Sequence, residues 1–170
     1  MTFTADDCLG VQYKHEDTLV ISMYHTNHNV HRLLIDGGSS FNIIFKNLFE
    51  QLILEEAEES ITKLSYPLIR FNGSATVPRG KITLLVTIGK GQAARNIREE
   101  FLVMDCGSVY NVIMGRTMIH KMQAIPSTYH QMMIYVSDAG FAERVKGDQE
   151  VARRTGHTAI AETGRWFRRR

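Results

Sequence analysis

The run Leu33-Leu34-Ile35-Asp36-Gly37-Gly38-Ser39-Ser40 drives an apolar segment straight into one carboxylate, two glycines and two hydroxyls. An acid at the end of a strand is positioned by that strand. Glycines beside it permit close backbone approach and positive φ, while neighbouring amides and hydroxyls can hydrogen-bond the carboxylate. This is a setting for general acid/base chemistry. It is also the composition of an ordinary strand-to-turn junction, because Asp and Gly are common turn residues. The motif alone therefore decides nothing.

A second acid repeats the pattern in Phe101-Leu102-Val103-Met104-Asp105-Cys106-Gly107-Ser108. Two carboxylates that share one proton and one water can cleave a peptide bond without a covalent intermediate, one as base and the other polarising the carbonyl. The surroundings differ, however: an amphipathic helix is predicted after Asp36 and another strand after Asp105. Asp105 is read as a strand-end turn residue. If Asp36 is catalytic, its partner is expected to be Asp36 of a second chain, brought there by two-fold symmetry.

Other chemistries find less support. His25, His28 and His31 are spaced by three. On a strand that spacing sends His25 and His31 one way and His28 the other, so they are read as surface or hairpin-tip residues. Cys8 and Cys106 have no C-x-x-C partner and no zinc-spaced histidine, which predicts two idle or buried thiols. The glycines form neither of the phosphate-binding fingerprints nor a nucleophile elbow. No metal and no cofactor are expected.

The elements that must position Asp36 are legible from pattern. Leu19 to Tyr24 and Val30 to Ile35 are β-rich runs around Thr26-Asn27-His28-Asn29, a predicted hairpin that ends at the acid. Phe45, Leu48, Phe49 and Leu52 predict a short helix over 43–53, followed by an acidic, solvated connection at Glu55 to Glu59. Strands are predicted at Pro67 to Phe71, Lys81 to Ile88, Glu100 to Met104, around Val112 to Met114, and last at Tyr129 to Val136, with a small helix near Met118 to Met122. The strands lie too close together for βαβ crossovers, so the fold class is all-β with one or two short helices.

At 170 residues, 44% hydrophobic and 22% charged, the chain suits one domain that buries roughly 70% of its unfolded surface. Residues 1–20 carry six charged or histidine side chains from Asp6 to Asp17 and leave no room for a signal-peptide core. No run approaches membrane-spanning length, so a cytosolic chain without a membrane partner is expected. Residues 141–170 hold eight Lys/Arg against four Asp/Glu, whereas residues 1–140 hold twelve against fourteen. The basic end, Arg165-Trp166-Phe167-Arg168-Arg169-Arg170, could grip phosphates, but six residues offer no folded platform. It is read as a disordered tail, and a nucleic-acid partner is not expected.

Several ordered blocks together resemble one family. These are Phe3 to Asp7 with Tyr13 to Asp17, Val30 to Ser40, Pro67 to Phe71 with Arg79 to Leu84, Tyr110-Asn111-Val112-Ile113-Met114-Gly115-Arg116, Ala124 to His130, and Lys146 to Gln149. The chain is similar to the retropepsin-type aspartic protease region of plant Ty3/gypsy-class retrotransposon polyproteins, over a domain of residues 1–154 followed by the tail at 155–170.

The resemblance implies a single-lobed, closed β-barrel that acts as a homodimer through its Asp36 loops on an extended peptide, the element's own polyprotein. By correspondence, Asp36 is the catalytic acid, Gly38 the loop glycine and Ser39 the small residue after it. Gly115, with Ile113 and Arg116, lies beneath the active-site loop, and Phe71-Asn72-Gly73-Ser74 is the flap. Two positions depart from the pattern. Gly37 stands where relatives carry Thr or Ser, whose hydroxyl rigidifies the loops across the dimer. Ser40 stands where some relatives carry an Asp paired with the arginine, so Arg116 is expected to find another partner. The first departure leaves two readings open, an active endopeptidase and an inactive relic that only dimerises or binds peptides.

Overall fold

Every second residue from Gly80 to Ile88 is apolar or glycine, and in the computed structural model this set faces inward along one strand. The structure describes residues 1–25, 28–53, 61–64, 67–69 and 75–156. In chain order the strands are β1 (Val20–His25), β2 (His28–Ile35), β3 (Asn42–Phe45), β4 (Leu68–Ile69), β5 (Ala75–Thr76), β6 (Gly80–Ile88), β7 (Arg95–Met104), β8 (Val112–Met114), β9 (Ile125–Ser127), β10 (Met132–Val136) and β11 (Ala142–Lys146). The helices are α1 (Lys46–Ile53), α2 (Arg116–Lys121) and α3 (149–156).

Six strands close a barrel in the order β1-β2-β8-β3-β7-β6, and β9, β10 and β11 add a three-stranded sheet. The fold is all-β, as expected. Met23, Leu33, Ile44, Val86, Phe101 and Met114 meet in its core. β6 and β7 pair with Ile82 opposite Phe101 and Val86 opposite Ile97, so both alternations point into one interior. Between them, Glu99 occupies an inward position and is buried, with Lys121 Nζ of α2 2.7 Å from its carboxylate.

Several boundaries differ from expectation for identifiable reasons. Residues 43–45 are strand and the helix starts at Lys46, because Ile43, Ile44 and Phe45 are held between β7 and β8. Phe45 fitted the helical spacing by coincidence. β7 begins at Arg95, not Glu100, since its first half is polar on the outward face. The strand predicted at 129–136 begins at Met132, after a turn in which Gln131 has φ +48°, and it is not the last. β11 was invisible in Ala142-Glu143-Arg144-Val145-Lys146, whose only strong β-former is Val145. Its order comes from pairing with β10. Pairing is also parallel in two places, β2 with β8 and β3 with β7, each joining segments far apart in sequence. The acidic connection at Glu55 to Glu59 lies outside the described residues. So does the tail beyond 156; the described helix α3 runs through Thr155, which is buried.

The histidines correct a geometric argument. His25 and His28 pair directly across the hairpin, so His25 and His31 lie on different strands. His25 is buried with Nδ1 2.7 Å from the Leu85 carbonyl oxygen, while His31 is exposed beside the Ser22 hydroxyl. Both cysteines are free, and neither is buried.

Two carboxylates tie the outer segments down: Asp138 joins the turn between β10 and β11 to β7 of the barrel, and Asp7 joins the N-terminal segment to β11. Asp138 accepts hydrogen bonds from the Asn96 side chain at 2.8 Å, the Asn96 N–H at 3.0 Å and Arg95 at 3.2 Å. Asp7 accepts from the Thr4 N–H at 2.8 Å and Arg144 Nε at 2.9 Å. Hydrogen bonding from Asn96 first, then Arg95, holds Asp138 below the usual carboxylate range, and the Thr4 N–H chiefly does so for Asp7. A folded value below the unfolded one stabilises fully above the unfolded pKa of about 3.9 and is lost as pH falls through the folded value. Asp138→Asn is expected to cost less than about 1 kcal/mol at neutral pH, because the carboxylate is partly exposed. It should also flatten the decline of Tm below about pH 4. Calorimetry across that range checks both.

Candidate active site

β8 is three residues long, yet both of its edges are used. It runs parallel to β2, with Ile35 opposite Met114, and antiparallel to β3, with Ile43 opposite Ile113. The strand before the Asp36 loop and the strand after it are thus bound to the same short segment. The chain must turn back over the end of β8, and Asp36 sits where that turn begins.

The turn is held by its own polar groups. Asp36 N–H continues the ladder to the Met114 carbonyl at 3.0 Å, and Ser39 N–H donates to the Asp36 carbonyl at 3.1 Å. Gly38 N–H donates to Asp36 Oδ1 at 2.9 Å, which orients a half-exposed carboxylate. The Ser39 hydroxyl donates to the Phe41 carbonyl at 2.6 Å. From below, Arg116 N–H donates to the Ser39 carbonyl at 2.9 Å. The Arg116 guanidinium donates to the Ser40 hydroxyl, so its expected other partner is Ser40 itself: a hydroxyl reaches where a carboxylate would.

Asp36, Gly37, Gly38, Ser39 and Ser40 therefore form one cluster with Gly115 and Arg116, while Ile113 lies within β8 opposite Leu34 and Ile43. Gly115 is there for space. A Cβ on it would lie 2.3 Å from the Phe41 carbonyl oxygen and 3.0 Å from that of Ser39. Gly37 is the opposite case, with nothing within 4 Å of an added Cβ. The expected flap, Phe71-Asn72-Gly73-Ser74, lies outside the described residues. The strands on either side, β4 and β5, pair antiparallel.

Asp105 is elsewhere. β3 is parallel to β7, with Phe45 opposite Met104, so Asp105 follows the end of β7 that lies beside Phe45. Phe45 N–H reaches the Asn111 carbonyl ahead of β8, whereas Asp36 lies past the other end, beside Met114. The two acids sit at opposite ends of β8. Asp105 is exposed, with Lys46 Nζ 3.5 Å from its carboxylate.

Asn42 escaped the sequence reading. It is 2% exposed, directly beneath the loop, with Oδ1 accepting from Gly115 N–H at 2.9 Å. Its only signal was an amide heading the apolar run Ile43-Ile44-Phe45. Among the described residues no three His, Cys, Asp or Glu side chains converge as a metal site, and no helix is long and apolar enough to cross a membrane. Cavities of about 760 and 540 Å³ lie around the outer face of β1 and α3, and neither is lined by Asp36.

No protein-family model matches the chain, and no curated protein does. Solved structures do. The retroviral protease-like domain of Ddi1 from Leishmania major aligns over 77% of this chain and 98% of its own, with TM-score 0.53 and 17% identity. The chain has a retropepsin-like fold. A retropepsin-like aspartic protease from Rickettsia conorii is also similar, over 64% of this chain and 75% of that one, with TM-score 0.46 and 17% identity. Within the retropepsin-like barrel, the Asp36 loop and the Gly115 turn are the two halves of one support.

Proposed function

We propose that the chain is the aspartic endopeptidase domain of a retrotransposon polyprotein of the plant Ty3/gypsy class, acting as a homodimer on polyprotein segments. The observation that carries this reading is one oriented carboxylate, Asp36, on a loop braced by Gly115 and Arg116 within a retropepsin-like barrel. One acid per chain cannot act as both base and acid, and Asp105 is at the wrong end of β8. A second copy supplies the missing acid. Two Asp36 carboxylates on a two-fold axis share one proton, hold a water between them and deliver it to a peptide carbonyl. The peptide binds extended, its backbone hydrogen bonds supplied by loop amides and by the 71–74 segment acting as a flap.

The test combines two measurements. Purified chain is incubated with a peptide library at mildly acidic pH, with and without pepstatin, and its mass is measured by sedimentation. Pepstatin-sensitive cleavage that rises with the dimer fraction is expected. Cleavage by a strict monomer, or cleavage indifferent to pepstatin, rejects the proposal.

The missing side chain at position 37 favours a second reading, a catalytically silent barrel that only dimerises or binds peptides. Gly37→Thr separates the two. Open space at Gly37 means that the substitution costs the monomer no more than about 0.5 kcal/mol. The added hydroxyl is expected to tighten either dimer by about 0.5–1.5 kcal/mol per new hydrogen bond, seen by sedimentation, but only the active reading expects faster peptide cleavage with it.

A further inference from the structure

Asn42 makes three hydrogen bonds and ties four segments at one point beneath the loop. Oδ1 accepts from Gly115 N–H at 2.9 Å, while Nδ2 donates to the Glu100 carbonyl of β7 at 3.1 Å and to the Thr117 hydroxyl of α2 at 2.9 Å. The amide orientation follows from chemistry, because one end faces an N–H and the other a carbonyl. A buried amide satisfied at both ends is rigid, and leaving any of these groups unpaired is costly. From Gly115 the constraint passes through two adjoining backbone bonds: Met114 carbonyl accepts from Asp36 N–H at 3.0 Å, and Arg116 N–H donates to Ser39 carbonyl at 2.9 Å. The loop is gripped on both sides of its carboxylate by a turn whose position Asn42 sets. On the opposite side, at Gly37, nothing lies within reach of a side chain.

We propose that Asn42 is a positioning residue, an intrachain brace that fixes the Asp36 carboxylate before a second subunit arrives. This rests on the reading of Asp36 as the reacting acid, yet it makes its own prediction about the isolated chain. The brace is built from β3, β7, α2 and the turn after β8, all of one polypeptide. Loop order is then a property of the monomer, and bringing two loops together need not create it.

The test reads loop and catalysis separately. In Asn42→Leu, amide hydrogen exchange at Gly115 and Ser39 is expected to accelerate at least about tenfold beyond any change at Val86 and Ile97, which report on the barrel. Asn42→Asp retains an acceptor for Gly115 N–H, so it should restore Gly115 protection even though losing the donor end lowers Tm. In cleavage assays Asn42→Leu is expected to lower kcat about 100-fold, the scale of a misplacement near 1 Å, with KM within about threefold. Exchange that accelerates equally through the barrel, or is unchanged, or that Asp fails to rescue, overturns the proposal. If Asn42→Leu does not fold, Thr117→Val serves instead, with faster exchange at Gly115 expected and no change there overturning it. Should the parent chain cleave nothing, the endopeptidase reading fails while the exchange data still decide the role of Asn42.

Discussion

Asp36→Asn is expected to leave the barrel folded and to abolish hydrolysis, with kcat reduced at least about 10³-fold. The carboxylate is half-exposed and accepts one described hydrogen bond, from Gly38 N–H to Oδ1. An amide of the same shape keeps that acceptor, so stability should move by no more than about 0.5 kcal/mol. What the amide cannot do is accept a proton from water, and in a symmetric dimer the substitution removes the base and its protonated partner at once. Asp105→Asn is the matched control. It loses an exposed contact with Lys46, worth at most about 1 kcal/mol, and hydrolysis should be unaffected. Undiminished cleavage by Asp36→Asn, or loss of cleavage in folded Asp105→Asn, would move the reaction to another site.

Gly115→Ala carries the largest expected structural effect. Gly115 has φ −87° and ψ −175°, a conformation open to any residue, so glycine is required by space alone. The new methyl would lie 2.3 Å from the Phe41 carbonyl oxygen and 2.7 Å from its carbon, both backbone atoms that no rotamer change can move aside. Overpacking of this kind costs typically 1–3 kcal/mol, and we expect about 3 or more here. For a chain of this size that lowers Tm by about 6–12 °C. If the variant relieves the clash by moving the loop, Asp36 moves with it and activity falls beyond what stability predicts. Gly107→Ala should be silent, since nothing lies within 4 Å of its added Cβ. Equal Tm values for the two variants would show that the turn is looser than its geometry implies.

Strand pattern made the all-β class legible, because alternation in β6 and the apolar run into Asp36 are local signals, and the closed barrel came from the family resemblance. Pairing was not legible. Nothing in Val112-Ile113-Met114 says that its two edges serve the strands before and after the Asp36 loop, since register is settled by contacts between distant segments. The same limit hid β11, which is too polar to announce itself, and it hid Asn42, whose partners come from three other elements. The start of α1 was missed for a different reason: Phe45 satisfied a helical period that pairing with Met104 overrode. Asp36 and Gly38 were visible as a carboxylate and a glycine at the end of an apolar strand, whereas Gly115 was placed beneath the loop only by the family resemblance. The bond between Arg116 and Ser40 could not be foreseen from a pattern built on carboxylates.

The reliance of the Asp36 loop on β8 also orders events during synthesis. Gly115 is 73 residues downstream of Asn42, and Arg116 is 76 downstream of Ser40. A nascent chain that has emerged only through β7 has the acid but not its floor, and loop closure over that distance is slow compared with local hairpin formation. A ribosome-bound chain therefore carries the Asp36 loop without its floor until most of the domain has left the exit tunnel.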